Sequence, residues 1–560
     1  MDSYQNFSAS RHVATSFRDV EESLPLSTRI SRRQWFAIIA LVLIGASATF
    51  FFRWSLVVST INSDGSITLV ERNQRIWEAL QQLQSDIDGT VYFRHDDNAT
   101  GAFAQASRVY YASAAQGDQA PIAVIEVANE ADVQKSVVVL SHLRMTYELP
   151  FRIRSGGHNK AGFSTVSEGA VLSLKNMNRL TVKLNDHNNS SVAVVRMEPA
   201  VLVRQFLSEV LAKHGYAGVV GYCPTVAEAG FILGGGLGLQ SRLYGLGLDN
   251  VLGMRVVMAD GSVRHVSKDS QDSTDIDLFW ALRGAGGGSF GVVTELEYQI
   301  HKASDKIMFV SVVLQSASDM ASFLHRLGQE EHTVPGNLMV MHDQIDAVRL
   351  MWSGKNDNDM DRAGLYISDL LDDLLPAQTP RSFDVTEALW TNVFLDESDQ
   401  WSSDVYAVRC WYGFLYPENN THAVWQDIMK FISAGVHNSS GFLLPDIEFW
   451  GGAIQDTLSN ATAFPHRSAV FNVGVLLTIP NDTPDAAVVF QTEVNKVNGW
   501  WPHVANYLTG SYVNYPTNTL MQENYAHAHW GNNLPRLVDI KRRVDLQNVF
   551  EFPMSVPLNL

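Results

Sequence analysis

The sequence predicts an α+β fold in two domains behind an N-terminal apolar helix. Three observations carry that prediction. The chain has 560 residues, more than one hydrophobic core ordinarily supports. Short β-rich runs are interspersed with amphipathic helical runs, without an internal repeat. An uncharged, mostly apolar run of 18 residues, "WFAIIALVLIGASATFFF" from Trp35 to Phe52, is just long enough to cross a bilayer.

Residues 1–30 are polar and read as a cytosolic tail, and 31–55 as a transmembrane signal anchor. Arg29, Arg32 and Arg33 precede the apolar run and Arg53 follows it. That positive excess places the N-terminus in the cytosol and the rest of the chain on the lumenal or extracellular side of the secretory pathway. The alternative is secretion after cleavage at Ala46-Ser47-Ala48. Glycosylation triplets begin at Asn98, Asn188, Asn189, Asn419, Asn438, Asn460 and Asn481, which suits either outcome. The chain is 46% hydrophobic and 18% charged, a globular composition. Its net charge of −18 argues against nucleic acid and anionic membrane surfaces as partners. Two cysteines, Cys223 and Cys410, allow one bridge at most and no disulfide framework.

Residues 70–300 form the first block. "ITLVERNQRIWEALQQLQSDI" has helical character. "PIAVIEVANEADVQKSVVVLSHLRMTYELPFRIRSGG" reads strand, helix, strand. In "VLGMRVVMADGSVRHVS" the Asp260-Gly261 pair marks a hairpin between two strands. Residues 301–505 form a second domain: "KIMFVSVVLQ" and "SAVFNVGVLLTI" read as strands, "MDRAGLYISDLLDDLL" and "AAVVFQTEVNKVNGW" as helices. Residues 506–560 end with the amphipathic helix of "NLPRLVDIKRRVD".

Three glycine-dense stretches stand out: "RSGGHNKAG", "AGFILGGGLGL" and "RGAGGGSFGVV". Glycines admit positive φ and bring main-chain N–H groups close to a ligand. One cluster is ordinary turn packing; three together point to a phosphate-bearing ligand such as a dinucleotide. No Gly-Lys-Ser/Thr follows, and no strand–GxGxxG–helix unit carries a ribose carboxylate, so neither a P-loop nor a Rossmann site is supported. His158 follows Gly156-Gly157, and Cys223 precedes a glycine run. Either alone is ordinarily a buried core side chain. Two nucleophiles set beside ligand-accommodating backbone fit a covalently held cofactor. No metal is expected: there is no CxxC or HExxH, and His527 with His529 lacks further ligands.

"PFRIRSGGHNKAG" resembles the flavin-attachment loop of the berberine bridge enzyme-like oxidases of the vanillyl-alcohol oxidase superfamily, and "GYCPTV", 65 residues on, resembles their second attachment site. "YGLGLDNVLGMRVVMADGSV", "DLFWALRGAGGGSFGVVTELEY", "SYVNY" and "WGNNLPRLVDIKRRVDLQNVF" are similar to their flavin domain and C-terminal segment. The resemblance covers roughly 80–300 and 505–557. It implies a PCMH-type FAD-binding domain in two lobes over 70–300, a substrate domain with an antiparallel sheet over 301–505, and a C-terminal segment, 506–560, that returns to the FAD domain. It implies FAD bonded to His158 at the 8α-methyl and to Cys223 at C6. The cofactor site would then comprise Ile153, Arg154, Ser155, Gly156, Gly157, Asn159, Gly162, Thr225, Val226, Gly230, Gly234, Gly235, Gly236, Tyr244, Gly245, Asp249, Asn250, Val293, Asn514 and Asn533. Tyr512 matches the catalytic base of many relatives. A tyrosine base needs a nearby cation or hydrogen-bond donors, and Lys160 and Arg467 are the candidates.

The activity implied is hydride removal from an alcohol, sugar or biosynthetic intermediate, as in tailoring of secondary metabolites. Valine at position 226 goes with transfer to O2, giving H2O2. Alternatives are a dehydrogenase with another acceptor, a catalytically impaired flavin protein, and a nucleotide-binding module without redox chemistry. Departures from the family pattern are Ala227-Glu228-Ala229-Gly230 for Gly-x-Gly-Gly, Lys160 for an aromatic, Gly474 for a flavin-facing Glu or Gln, and Asp545-Leu546 for Asp-Pro.

Overall fold

The computed structural model describes residues 68–96, 101–110, 120–184, 191–342, 346–375, 381–390, 405–440, 443–480, 482–517 and 524–560. The expected tail and anchor, 1–30 and 31–55, lie outside the described residues. Among the described residues no helix is long and apolar enough to cross a membrane. The chain divides into Met1–Trp77 and Glu78–Leu560. The first unit contributes the start of helix α1 (Leu69–Asp86); the architecture that follows belongs to the second.

A four-stranded sheet comes first: β1 (Thr90–Phe93), β2 (Ala123–Glu126), β3 (Phe151–Arg154) and β4 (Ala170–Ser173) in the order β1-β2-β4-β3. β2, β4 and β3 are parallel, and β1 closes one edge antiparallel. Every residue of β2 and β4 is buried, so these strands read as continuous apolar runs rather than alternating ones. Helix α2 (Glu130–Tyr147) makes the crossover from β2 to β3. Asn129 caps it, accepting from Asp132 N. The Asp132 carboxylate in turn accepts from Asp88, Gly89 and Ala128 N–H.

The second sheet is antiparallel: β5 (Leu180–Lys183), β6 (Val192–Met197), β10 (Val292–Lys302), β8 (Val251–Val257) and β9 (Val263–Ser267), with β7 (Tyr216–Ala217) on β10. Asp260-Gly261 does turn β8 into β9, with Gly261 at φ +79°. Helix α3 (Glu228–Gly234) lies between β7 and β8, and α4 (Ser273–Leu282) between β9 and β10.

The third sheet has seven antiparallel strands in the order β14-β11-β13-β12-β16-β17-β15. They are β11 (Lys306–Leu314), β12 (Leu338–His342), β13 (Ala347–Ser353), β14 (Arg381–Leu389), β15 (Val405–Leu415), β16 (Leu443–Phe449) and β17 (Phe471–Pro480). Helices α5 (Ala317–Gln329), α6 (Asp357–Leu374), α7 (His422–His437) and α8 (Ala486–Ala505) share a core with one set of alternate strand residues, including Val310, Val340, Leu350, Ile447, Val473, Val475 and Leu477. Burying each such side chain is worth roughly 1.5–3 kcal/mol. The period-two alternation leaves the other set, Phe309, Met341, Leu444, Asp446, Glu448 and Leu476 among it, for the opposite face.

Helix α9 (Tyr525–Trp530) and helix α10 (Leu534–Val544) follow. The basic end of α10 is not uniformly solvated. Lys541 is fully buried and donates to Asp545 and to the carbonyls of Ser289 and Phe550 at 2.6–2.7 Å. Asp545 also accepts from Val549 and Phe550 N–H, which gives the Asp545-Leu546 departure a local structure. The Lys541→Met variant strands a buried carboxylate and is expected to lose about 3–5 kcal/mol, read as a lower denaturant midpoint.

Candidate active site

The chain's glycine-rich loops, third sheet and C-terminal segment meet around one cleft of about 860 Å³. Ser155–Asn159, Cys223, Val226, Gly230 and Gly286–Gly288 line one part of it; Phe309, Met341, Leu444, Asp446, Glu448 and Leu476 line another; Asn514, Tyr515 and Phe550–Phe552 line a third.

His158 follows β3 at the point where the parallel sheet releases the chain. Burial pushes its imidazole down to about 3, opposed by a hydrogen bond with the Thr225 backbone. The ring is therefore neutral and nucleophilic at physiological pH. It stacks on Tyr110 at 4.0 Å between centroids. The same Thr225 holds its Oγ1 3.3 Å from Cys223 Sγ. One residue thus contacts both nucleophiles, and both line the cleft. Burial, and then the charge of Cys223, push the Tyr110 hydroxyl up. Cys223 and Cys410 are both free thiols; Cys410 is buried, donates to the Pro516 carbonyl, and is pushed up to about 12 by that burial.

Backbone without side chains lets the loops around this part of the cleft approach closely. A Cβ on Gly156 would stand 2.8 Å from Ala227 N, and one on Gly230 would project toward Ser155 Oγ at 3.7 Å. Ala227 and Ala229 still line the cleft, so the two added methyl groups have not withdrawn this backbone. Glu228 turns inward: it is wholly buried, neither carboxylate oxygen has a hydrogen-bond partner among the described residues, and burial raises its pKa well above the usual range.

The other sequence-derived positions divide in two. Ile153, Ser155, Gly156, Gly157, Asn159, Val226, Gly230, Val293 and Asn514 line the cleft with the two nucleophiles. Arg154, Gly162, Thr225, Gly234, Gly235, Gly236, Tyr244, Gly245, Asp249, Asn250, Asn533 and Tyr512 are not among its lining residues. Arg154 donates to the carbonyls of Ala106, Ser107 and Arg108. Tyr244 stacks on His301 at 3.7 Å, and Asn250 bonds the same histidine. A Cβ on Gly245 would meet the Asp249 carboxylate, and Asp249 itself forms a bidentate pair with buried Arg467 at 2.6 and 2.8 Å. Asn533 donates to the carbonyls of Ser459, Thr462 and Ala463. Gly162 takes a φ of +82° in the turn after Asn159. Gly234 and Gly235 lie against Asn514 and the Tyr512 ring, where a Cβ would come within 2.0 and 2.7 Å. Those glycines serve packing.

Tyr512 is 1% exposed. Its hydroxyl accepts from Gly236 N–H at 2.8 Å, Leu237 N–H at 3.1 Å and Asn514 Nδ2 at 3.1 Å. Burial raises its pKa despite those donors. Neither Lys160 nor Arg467 sits on it: Arg467 pairs with Asp249, and Lys160 stands 4.1 Å over the ring of Tyr515.

Tyr515, three residues on, does line the cleft, as does Tyr222. The Tyr515 hydroxyl donates to Glu448 Oε1 at 2.8 Å, and Asn472 donates to Oε2 at 2.9 Å. Glu448 is fully buried. Burial pushes it up to about 7; Asp446 adds to the rise, and Asn472, Tyr515 and Lys160 oppose it. Asp446 accepts from the Tyr412 hydroxyl, to which Lys160 donates at 3.4 Å. A Cβ on Gly474 would collide with the Tyr412 ring at 2.0 Å. The glycine in place of a flavin-facing acid thus makes room for Tyr412, and the acids come from the neighbouring strand. Glu448, Asp446, Tyr412, Tyr515 and Tyr110 were absent from the sequence-derived set; acids at alternate positions of the apolar strand "LLPDIEF" were the available signal.

Known proteins resemble this chain in sequence and in fold. Residues 121–267 match the FAD binding domain family, and residues 511–557 match the berberine and berberine-like family. The chain is 26% identical to an uncharacterised FAD-linked oxidoreductase of Bacillus subtilis over 79% of this chain and 93% of that protein. It is 26% identical to a monolignol oxidoreductase of Arabidopsis thaliana over 90% of this chain and 95% of that one. Among solved structures it is similar to glucooligosaccharide oxidase from Acremonium strictum, described as carrying 6-S-cysteinyl, 8α-N1-histidyl FAD, with a TM-score of 0.69, 21% identity, and 86% and 98% of the two chains covered. Fold and matches together define an FAD-dependent oxidoreductase. Within that class, the chain is similar to berberine bridge enzyme-like proteins.

Tyr512→Phe removes the acceptor of two buried backbone N–H groups. It is expected to destabilise the protein by about 1–3 kcal/mol while leaving the Tyr515–Glu448 pair in place, measured by chemical denaturation.

Proposed function

We propose that this protein is an alcohol oxidase whose FAD is bonded to both His158 and Cys223, with Tyr515 and Glu448 removing the substrate's hydroxyl proton. The observation that carries the reading is the convergence of the His158 and Cys223 side chains and a hydrogen-bonded tyrosine–glutamate pair on one cleft. Ser155, Gly156, Gly157, Asn159 and Gly286–Gly288 supply the backbone for the cofactor. They would hold FAD, which would supply the acceptor for a hydride from the carbinol carbon and, with two electrons and two protons passed on to O2, the route to H2O2.

Tyr515 is not a phenolate base, because burial and the neighbouring Glu448 and Asp446 charges hold its pKa well above the usual value. The proton instead passes from the substrate hydroxyl to the Tyr515 oxygen as Tyr515 gives its own to Glu448. Lys160 stands over the Tyr515 ring and offsets the negative charge that develops on this pair. Val226 keeps a small side chain at the cleft, in line with access for O2. Anchoring through 31–55, with the catalytic part lumenal or extracellular, belongs to the same proposal. Exposed triplet asparagines Asn438 and Asn460 suit glycans there, whereas the Asn419 amide is engaged with the Tyr507 carbonyl.

Anaerobic mixing with an alcohol substrate should bleach the flavin, and admitting O2 should restore its colour with one H2O2 per turnover. Fast reoxidation by a quinone but not by O2 would contradict the oxidase assignment. Because the acceptor must be unprotonated, the reduction rate should fall as pH drops through about 7 and level off above it. Glu448→Gln should erase that limb, and Tyr515→Phe should slow reduction by about 10²–10⁴-fold.

A further inference from the structure

The segment that carries Cys223 is held by its main chain on both sides of Thr225. Val226 N–H donates to the Cys223 carbonyl at 3.2 Å, and Arg204 N–H to the Pro224 carbonyl at 3.0 Å. Val203 N–H donates to the Val226 carbonyl at 3.0 Å, and Glu228 N–H to the Val201 carbonyl at 2.9 Å. None of these bonds uses the Thr225 side chain. Its Oγ1 instead stands 3.3 Å from Cys223 Sγ, while its backbone carbonyl accepts from the His158 imidazole.

The two contacts use different atoms of one residue and favour different nucleophiles. A carbonyl that accepts from one imidazole N–H fixes the tautomer and leaves the other ring nitrogen its lone pair. A thiol and a hydroxyl can each donate to the other, but once the sulfur has lost its proton only the hydroxyl can donate. A hydroxyl donating to sulfur favours the thiolate, which is the nucleophilic form.

Resting on the doubly bonded FAD proposed above, we propose that Thr225 is the positioning residue for the attachment itself: its carbonyl readies His158, and its hydroxyl readies and aims Cys223. The Cys223 sulfur gives an electron pair to flavin C6, and the S–C6 bond forms. The thiol hydrogen and the C6 hydrogen leave as protons, and the pair from the broken C6–H bond stays on the ring. O2 takes up that pair with two protons as H2O2, which returns the ring to its oxidised state. The His158 bond balances in the same way, with an imidazole hydrogen and one 8α-methyl hydrogen leaving.

Thr225→Val keeps the branched shape and the carbonyl but loses the hydroxyl, whereas Thr225→Ser keeps both groups. The unaltered protein and both variants are purified in air with their flavin, acid-denatured and digested, and the peptides are read by mass. In the unaltered protein and in Thr225→Ser, one flavin should join the His158 and Cys223 peptides. Thr225→Val should carry flavin on His158 alone, its doubly bonded fraction reduced about tenfold or more and its denaturant midpoint unchanged. Loss of one bond out of two, restored by serine, is not what a loosened loop would give. Thr225→Val bonded at both residues to the unaltered extent, or at neither, would overturn the assignment of Thr225, as would failure of Thr225→Ser to restore the Cys223 bond. An unaltered protein with no flavin–peptide bond would overturn the doubly bonded reading itself, and the assignment with it.

Discussion

The register of one strand sets the chemistry of the cleft. β16 lies between β12 and β17 so that Glu448 stands opposite Met341 on one side and Asn472 on the other. Side chains alternate, so a slip of one residue would turn Glu448 into the core under the helices and bring Ile447 to the cleft. The register resists that slip because Ile447 and Phe449 are themselves buried among the helix-facing residues. A buried acid is thereby held where, among the described residues, no cation pairs with it directly. That is the condition for a carboxyl poised near neutrality.

The opposite part of the cleft has a different requirement, which is close passage of bare backbone. The chain meets it with short loops leaving the parallel sheet and with a nucleophile in each of two loops joined through Thr225. The surroundings are braced by charged side chains used as struts. Arg467 grips Asp249 and Thr462, and Lys541 gathers Asp545 with two carbonyls. Such pairs are costly to desolvate and most damaging when half removed, which suits positions that fix geometry rather than react.

Much of this was legible in the sequence because period and composition speak directly about burial. The strand-helix-strand reading of 121–157, the hairpin at Asp260-Gly261 and the strands after residue 300 all follow from alternation and turn chemistry. So did the approach of His158 and Cys223 to one ligand site. The choice between Tyr512 and Tyr515 was not legible. "SYVNY" adopts neither helix nor strand, so no period says which ring faces the cleft. The glycines of 234–236 misled for a related reason: a missing Cβ admits a tyrosine ring as readily as a cofactor. Gly474 was informative only through its neighbour, since the ring that fills its space belongs to Tyr412 on another strand.

The central claim is that His158 and Cys223 hold one flavin in the cleft that Tyr515 and Glu448 serve. A peptide map of acid-denatured protein, read by flavin absorbance and mass, tests it most directly. The account predicts a single yellow species joining the His158 and Cys223 peptides. Flavin released free on denaturation, with both peptides at unmodified mass, would contradict it.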